Sequence, residues 1–261
     1  MIDFSLKIAG RTVAVRAIYD TTRLFCRDYL WEEKPDFEVT VTKSDLVLEH
    51  EYSAREGDRQ GLGVRNHSDA YLEVIALLRK VSEKLVEYDT LLFHGSVVAV
   101  DGVGYLFTAP SGTGKSTHTR LWRELLGDRA VMVNDDKPFL RITETGVLAC
   151  GSPWNGKHKL DTNTSVPLKA ICVLERGEEN RIRQIPAREA LTELFQQSYR
   201  PRNTGQMVRY MDLLDRLSRC VTFYRMACNM DPGAARMAYN AMAGQEGRKF
   251  MEIPAKQAKG P

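Results

Sequence analysis

The 261 residues are 43% hydrophobic and 27% charged, with a formal net charge of +3. That balance is ordinary for a globular chain and too weakly basic to argue for nucleic acid or a membrane surface as a partner. No run approaches the roughly 18 apolar residues of a membrane helix, the N-terminal Met-Ile-Asp-Phe-Ser-Leu-Lys lacks a signal pattern, and five scattered cysteines without metal-ligand spacing point to a reduced cytoplasm.

Residues 2–18 alternate apolar and polar side chains (Ile2, Phe4, Leu6, Ile8, then Val13, Val15, Ala17) around Gly10-Arg11, which predicts a hairpin. A short helix is expected over 21–31, then two strands over 37–42 and 45–51 turning at Lys43-Ser44. Residues 57–63, rich in Gly with Asp, Arg and Gln between, read as a mobile loop. Residues 66–69 offer a helix cap ahead of helical spacing over 71–88 (Leu72, Ile75, Leu78, Leu85). Residues 1–88 are therefore expected to form a small α+β region leading into a core over 89–243, with a polar, fraying tail over 244–261.

The core opens with a strand over 91–100, the Asp101-Gly102 turn and a strand over 103–108, an antiparallel hairpin that argues for a mixed sheet. Residues 109–116, Ala-Pro-Ser-Gly-Thr-Gly-Lys-Ser, follow. They match the phosphate-binding loop, Gly-x4-Gly-Lys-Ser/Thr, except that Ala109 stands for the leading Gly. Small residues let successive backbone N–H groups of 111–117 (Ser111, Gly112, Thr113, Gly114, Lys115, Ser116, Thr117) converge on phosphate oxygens, and the next helix adds the positive end of its dipole. Lys115 supplies a mobile charge for the terminal phosphates and the Ser116 hydroxyl a ligand for Mg²⁺. Leu121, Trp122, Leu125 and Leu126 keep helical spacing up to a stop at Gly127, so the order is strand, loop, helix. An ordinary Ser/Gly turn is the competing reading.

A short apolar strand over 131–133 ends in Asn134-Asp135-Asp136. Two adjacent carboxylates there divide the work of phosphoryl transfer: one holds Mg²⁺ and the other takes the proton of an incoming hydroxyl. Asp136 is the favoured base and Asp135 the favoured metal ligand; the reverse stays open, as does a plain solvated Asp-Asp turn. Hairpin strands over 139–142 and 147–150 come next, then strands over 170–175 and 181–185, helices over 187–199 and 205–219, a strand over 221–227 and a helix over 232–243.

His94-Gly95, the Asp101-Gly102 turn, Ser111-Gly112-Thr113-Gly114-Lys115-Ser116 and Asp135-Asp136 together resemble the catalytic domain of bacterial HPr kinase/phosphorylase. The Ser-Gly-Thr-Gly-Lys string with a later Asp-Asp is also similar to ATP-dependent phosphoenolpyruvate carboxykinase. The likeness spans about residues 91–142. It implies an α/β fold with a mixed sheet and a P-loop core, dependence on ATP and Mg²⁺, and a kinase activity in which His94 lies beside the catalytic aspartate. A homo-oligomer is compatible with it. Departures are clear: Ala109 for Gly, Thr117 where the HPr enzymes have Glu, no Arg-Gly-rich signature after the acid pair, and an unrelated N-terminal half. HPr is therefore a poor candidate substrate.

Residues 151–159 form a Gly/Pro/Asn loop with a basic tip, and Lys157 and Lys159 are candidates for contacting phosphate or an acidic substrate. Arg200 and Arg202, in the break between two helices, are candidates for the same role. The sequence thus predicts transfer of the ATP γ-phosphate to a hydroxyl, on a small molecule in slight preference to a protein Ser. The alternative is an ATP-binding regulatory module or an ATPase without an acceptor.

Overall fold

The computed structural model describes residues 1–59 and 67–244. Strands β1 (Ile2–Ile8) and β2 (Arg11–Ala17) form the expected hairpin, turning through Ala9 and Gly10 at φ of +50° and +74°, the left-handed geometry that two-residue hairpins require. Helix α1 (Asp20–Phe25) follows, and β3 (Phe37–Thr40) joins β2 in parallel to complete a three-stranded sheet.

Residues expected to make a strand over 45–51 instead begin α2 (Lys43–Arg59). Thr42 starts it: the Asp45 carboxylate accepts its backbone N–H at 2.9 Å and its hydroxyl at 2.8 Å, as in a capping box. Asp45, Leu46 and Glu49 then turn inward together at helical spacing. The acids are neutralised by Arg79 and Lys80 of α3 (Asp69–Leu85), cations no local pattern announces. The 57–63 loop expectation begins inside α2, and its part from residue 60 lies outside the described residues, as does the tail beyond residue 244. Ser68 caps α3 by accepting the Tyr71 N–H.

The large sheet is mixed. Its order is β4 (Thr90–Leu92), β8 (Phe139–Ile142), β9 (Val147–Cys150), β10 (Ser165–Arg176), β6 (Val103–Thr108), β5 (Ser96–Val100), β7 (Ala130–Asn134). The first residues of β10 pair antiparallel with β9 and the rest pair parallel with β6 and with β12 (Thr222–Cys228), so one long strand joins both halves of the sheet. Strand β11 (Arg181–Ile185) closes the edge on β12. The single strand expected over 91–100 is broken between β4 and β5. Backbone N–H groups of Phe93, His94 and Gly95 donate to Pro138, Gln197 and Asp136 rather than to one ladder. A Cβ at Gly95 would lie 3.0 Å from both the Phe107 carbonyl oxygen and the Leu106 side chain, so a larger residue there would have to displace its neighbours.

Alternation along β5 and β6 sends side chains to two faces. Val98, Val100, Tyr105 and Phe107 pack with Trp122 of α4 (Lys115–Leu126) and Tyr239 of α7 (Gly233–Ala243). Val97, Ala99 and Leu106 pack with Leu194 of α5 (Ala187–Gln197) and Leu213 and Leu217 of α6 (Thr204–Cys220). Trp122, fully buried, meets Tyr105 at 5.1 Å and Tyr239 edge-on at 5.4 Å between ring centroids, pairs worth about 0.5–1.5 kcal/mol each beyond area burial. A third cluster joins the N-terminal sheet and α3 to Leu92, Phe139, Cys150 and Trp154 of the large sheet's side. Among the described residues no helix is long and apolar enough to cross a membrane.

Candidate functional site: a glycine loop facing an acid pair

Strand β6 delivers the chain into residues 109–114, and Gly114 caps α4 from a left-handed conformation. Gly112 and Gly114 have φ of +78° and +116°, which only glycine adopts without strain. Ala109 is not among the positive-φ residues; its backbone accepts a side chain, which accounts for the missing leading glycine. Lys115 is buried, and its Nζ donates to the Ala109 carbonyl at 2.9 Å, folding back over the loop. Burial pushes its pKa down, opposed by the charge of Asp136. From the end of β10, Arg176 Nη2 donates to the Gly112 carbonyl at 2.7 Å and braces the loop. His118, one turn into α4, is buried and accepts the Trp122 indole N–H at 3.2 Å; burial pushes its pKa down to about 4, so it is neutral.

Across the cavity, β7 ends at Asn134. The Asn134 amide donates to Ser152 O at 2.9 Å, while its Oδ1 accepts the backbone N–H groups of Asp136 (2.8 Å) and Lys137 (2.6 Å). This side-chain turn sets the two carboxylates apart. Asp135 Oδ1 accepts the Gly156 N–H at 2.5 Å, and Asp135 Oδ2 is buried with no hydrogen-bond partner. Burial, with the nearby Asp136 charge, pushes its pKa up against that backbone bond. Asp136 differs. Burial pushes it up as well, but hydrogen bonds from His94 and Lys137 and the Lys137 charge hold it well below the usual carboxylate range. His94 Nε2 lies 3.3 Å from Asp136 Oδ1, and Lys137 Nζ 2.8 Å from Asp136 Oδ2. The other ring nitrogen of His94 sits 2.6 Å from Gln197 Oε1 at the end of α5.

Of the residues singled out in the sequence, Ser111, Gly112, Gly114, Lys115, Ser116, Thr117, His94, Asp135, Asp136 and Lys157 line one cavity of about 510 Å³. Thr113 lines the neighbouring cavity with Gly112 and Gly114. Lys159 stands apart, at φ +50° after a turn in which its N–H donates to Gly156 O. Arg200 stacks over the Phe195 ring, and Arg202 lines a different cavity, over Tyr52. His158 joins Lys157 in the cavity, and Asn134, Lys137, Gly156, Arg176 and Gln197 shape it. His158 and Gly156 fall in the basic-tipped 151–159 loop read from the sequence; Lys137, Arg176 and Gln197 carry no sequence signal, and Asn134 only that of a turn former beside the acid pair.

Fold and site define a mixed α/β protein in which a glycine-rich loop and helix N-terminus face an acid pair across one cavity. A family model described as SynChlorMet cassette protein ScmC matches residues 63–232, a span that includes every residue of that cavity. The chain belongs to this family. Among solved structures it is similar to the HPr(Ser) kinase/phosphatase from Coxiella burnetii, at 13% identity and a TM-score of 0.34, over 62% of this chain and 98% of that one. Comparison with curated proteins finds no match.

Proposed function

We propose that the protein is an ATP- and Mg²⁺-dependent phosphotransferase that moves the γ-phosphate of ATP to a hydroxyl. The observation that carries this reading is the convergence of the 111–117 loop and Lys115 with Asp135 and Asp136 on one cavity. In such a site catalysis is positioning and charge neutralisation. Backbone N–H groups of the loop cradle the phosphates and Lys115, released from Ala109, neutralises charge developing on the transferred group.

The residues present fit Mg²⁺. Asp135 Oδ2 is a buried carboxylate oxygen without a partner, and Ser116 lines both cavities that Asp135 lines. Among the described residues no group of three or more protein ligands is placed to hold a metal, and none is required, because Mg²⁺ at such sites takes one or two protein ligands plus substrate phosphates. Bound there, the ion would neutralise phosphate charge.

Asp136 is the base, held toward the acceptor by His94 and Lys137. In the transfer, the bond from the acceptor oxygen to phosphorus forms and the bond from phosphorus to the β–γ bridging oxygen breaks. ADP leaves with that electron pair, and the hydroxyl proton passes to Asp136.

The test is a γ-labelled ATP transfer assay with Mg²⁺ against pooled hydroxyl metabolites and against cell-extract proteins, with Lys115→Ala as the blank. Label on an acceptor supports the reading and identifies the acceptor's class. Tight ATP binding with no transfer to either pool moves the protein to an ATP-gated regulatory module, and free phosphate alone to an ATPase.

A further inference from the structure

We infer that the cavity walled by α2, α3 and the segment after α5 is the acceptor pocket, and that it takes a hydroxy acid with a compact apolar body. The inference rests on the phosphotransferase reading above and adds the acceptor's place and chemistry to it.

Position comes first. The cavity holds about 440 Å³, within the range of small-ligand pockets. It shares His94 with the phosphate-loop cavity and is also lined by Lys137. These are the two residues that grip the Asp136 carboxylate. A hydroxyl carried to this end of the pocket meets the His94 and Lys137 side chains that adjoin the Asp136 carboxylate in the phosphate-loop cavity.

The lining then describes the ligand. Ile75 and Leu78 of α3 and Leu92 of β4 form an apolar wall, with the rings of Tyr52 and Tyr199 beside it. Arg79, Lys137 and Arg202 also line it, and their charges are not equally available. Arg79 is spent on Asp45 at 3.0 Å, Glu49 at 2.6 Å and Glu83 at 3.6 Å. Lys137 is spent on Asp136. Arg202 is exposed, stacks on Tyr52 at 3.8 Å and makes no ion pair with a carboxylate among the described residues; Glu49, which also lines the pocket, is paired with Arg79 at 2.6 Å. An uncompensated guanidinium beside an apolar wall favours a planar anion, which it binds through charge-assisted and often bidentate hydrogen bonds. Its neighbour Arg200 is turned onto Phe195 instead, so the segment supplies one cation to the pocket, matched to a single carboxylate.

The test is calorimetric titration of the full chain with 3-phenylpropionate, which has the body and the carboxylate but no hydroxyl to be phosphorylated, and with the uncharged 3-phenylpropanol. The expected result is that the acid binds at least about tenfold more tightly than the alcohol. Arg202→Ala is expected to weaken the acid about tenfold or more, Arg202→Lys to recover only part of that loss because an ammonium lacks the planar fork, and Leu78→Trp, which fills the pocket, to remove binding. Thermal midpoints confirm that each variant is folded. Equal binding of acid and alcohol, an Arg202→Ala variant that binds like wild type, or no binding to wild type overturns the inference. A parallel titration with a non-hydrolysable ATP analogue separates the two levels. Nucleotide binding without acid binding sinks the pocket alone, whereas acid binding without nucleotide binding sinks the transferase reading and with it the acceptor role.

Discussion

His94 Nε2 approaches Asp136 Oδ1 to 3.3 Å from the break between β4 and β5, while its other ring nitrogen contacts Gln197 at 2.6 Å. The imidazole therefore ties the acid pair to the end of α5 and aims one carboxylate. Replacing it with Ala leaves Asp136 in place but unaimed. His94→Ala is expected to lower kcat for transfer by about tenfold or more, short of the roughly 10²–10⁴-fold loss expected for removing the base itself in Asp136→Asn. Affinity for the ATP analogue stays near wild type in His94→Ala. Steady-state kinetics beside equilibrium nucleotide binding check this, and an affinity loss matching the kcat loss would give His94 a structural role instead.

Asp135 carries a cost in the empty protein. Its Oδ2 is buried without a partner, a burden of about 1–3 kcal/mol. Asp135→Asn keeps an oxygen for the Gly156 N–H and removes the charge, so the thermal midpoint without nucleotide or Mg²⁺ is expected to rise. The same variant is expected to lose the extra stabilisation that Mg²⁺ adds to ATP. Paired thermal melts measure both; a variant less stable than wild type without ligand would show that the buried charge is not the dominant cost at this position.

The loop glycines are unequal to Ala109. Gly114 sits at φ +116° with open space where a Cβ would project, so Gly114→Ala costs about 1–3 kcal/mol through backbone strain alone. It is expected to weaken ATP-analogue binding by tilting the N–H groups that cradle phosphate. Ala109→Gly restores the usual loop pattern at a position without positive φ and is expected to change affinity less than about threefold, within the few tenths of a kcal/mol of an unstrained site. Titration of both variants decides, and equal losses would mean that Ala109 too is conformationally strained.

Acid stability turns on the α2–α3 contact. Burial raises the Asp45 pKa, but hydrogen bonds from Lys80, Thr42 and Arg79 outweigh it and bring it down to about 2. A carboxylate depressed on folding contributes stability that is present above its unfolded pKa near 3.9 and lost as pH falls through the folded value. Asp45→Asn is thus expected to cost about 2 kcal/mol at pH 7, with the difference from wild type shrinking between about pH 4 and pH 2. Denaturant midpoints at pH 7 and pH 2.5 check it; a pH-independent difference would assign Asp45 to capping alone.

Much of the site is legible in the sequence because its chemistry is local. Ser111 to Ser116 carry their spacing with them, and Asp101-Gly102, at φ of +51° and +80°, makes the turn its residue types favour. The helix over 43–59 was hidden for the opposite reason. Residues 45–51 read as a strand, and what makes Asp45 and Glu49 tolerable inside a helix is Arg79 and Lys80, far along the chain. Arg200 and Arg202 looked alike as a basic pair; packing against Phe195 and Tyr52 sends them to different surroundings.

By itself, then, the sequence determined the loop, its glycine conformations, the hairpin that feeds it and the acid pair that follows, since turn chemistry and strand alternation act over a few residues. Tertiary structure alone decided that the strand breaks at His94, that His94, Lys137 and Gln197 converge on Asp136, that Gly156 reaches Asp135, and that Arg202 lines a pocket behind them. Those relations depend on which backbone groups find partners across β8, α5 and the 151–161 loop once the sheet has closed, and no short-range preference encodes a partner that distant.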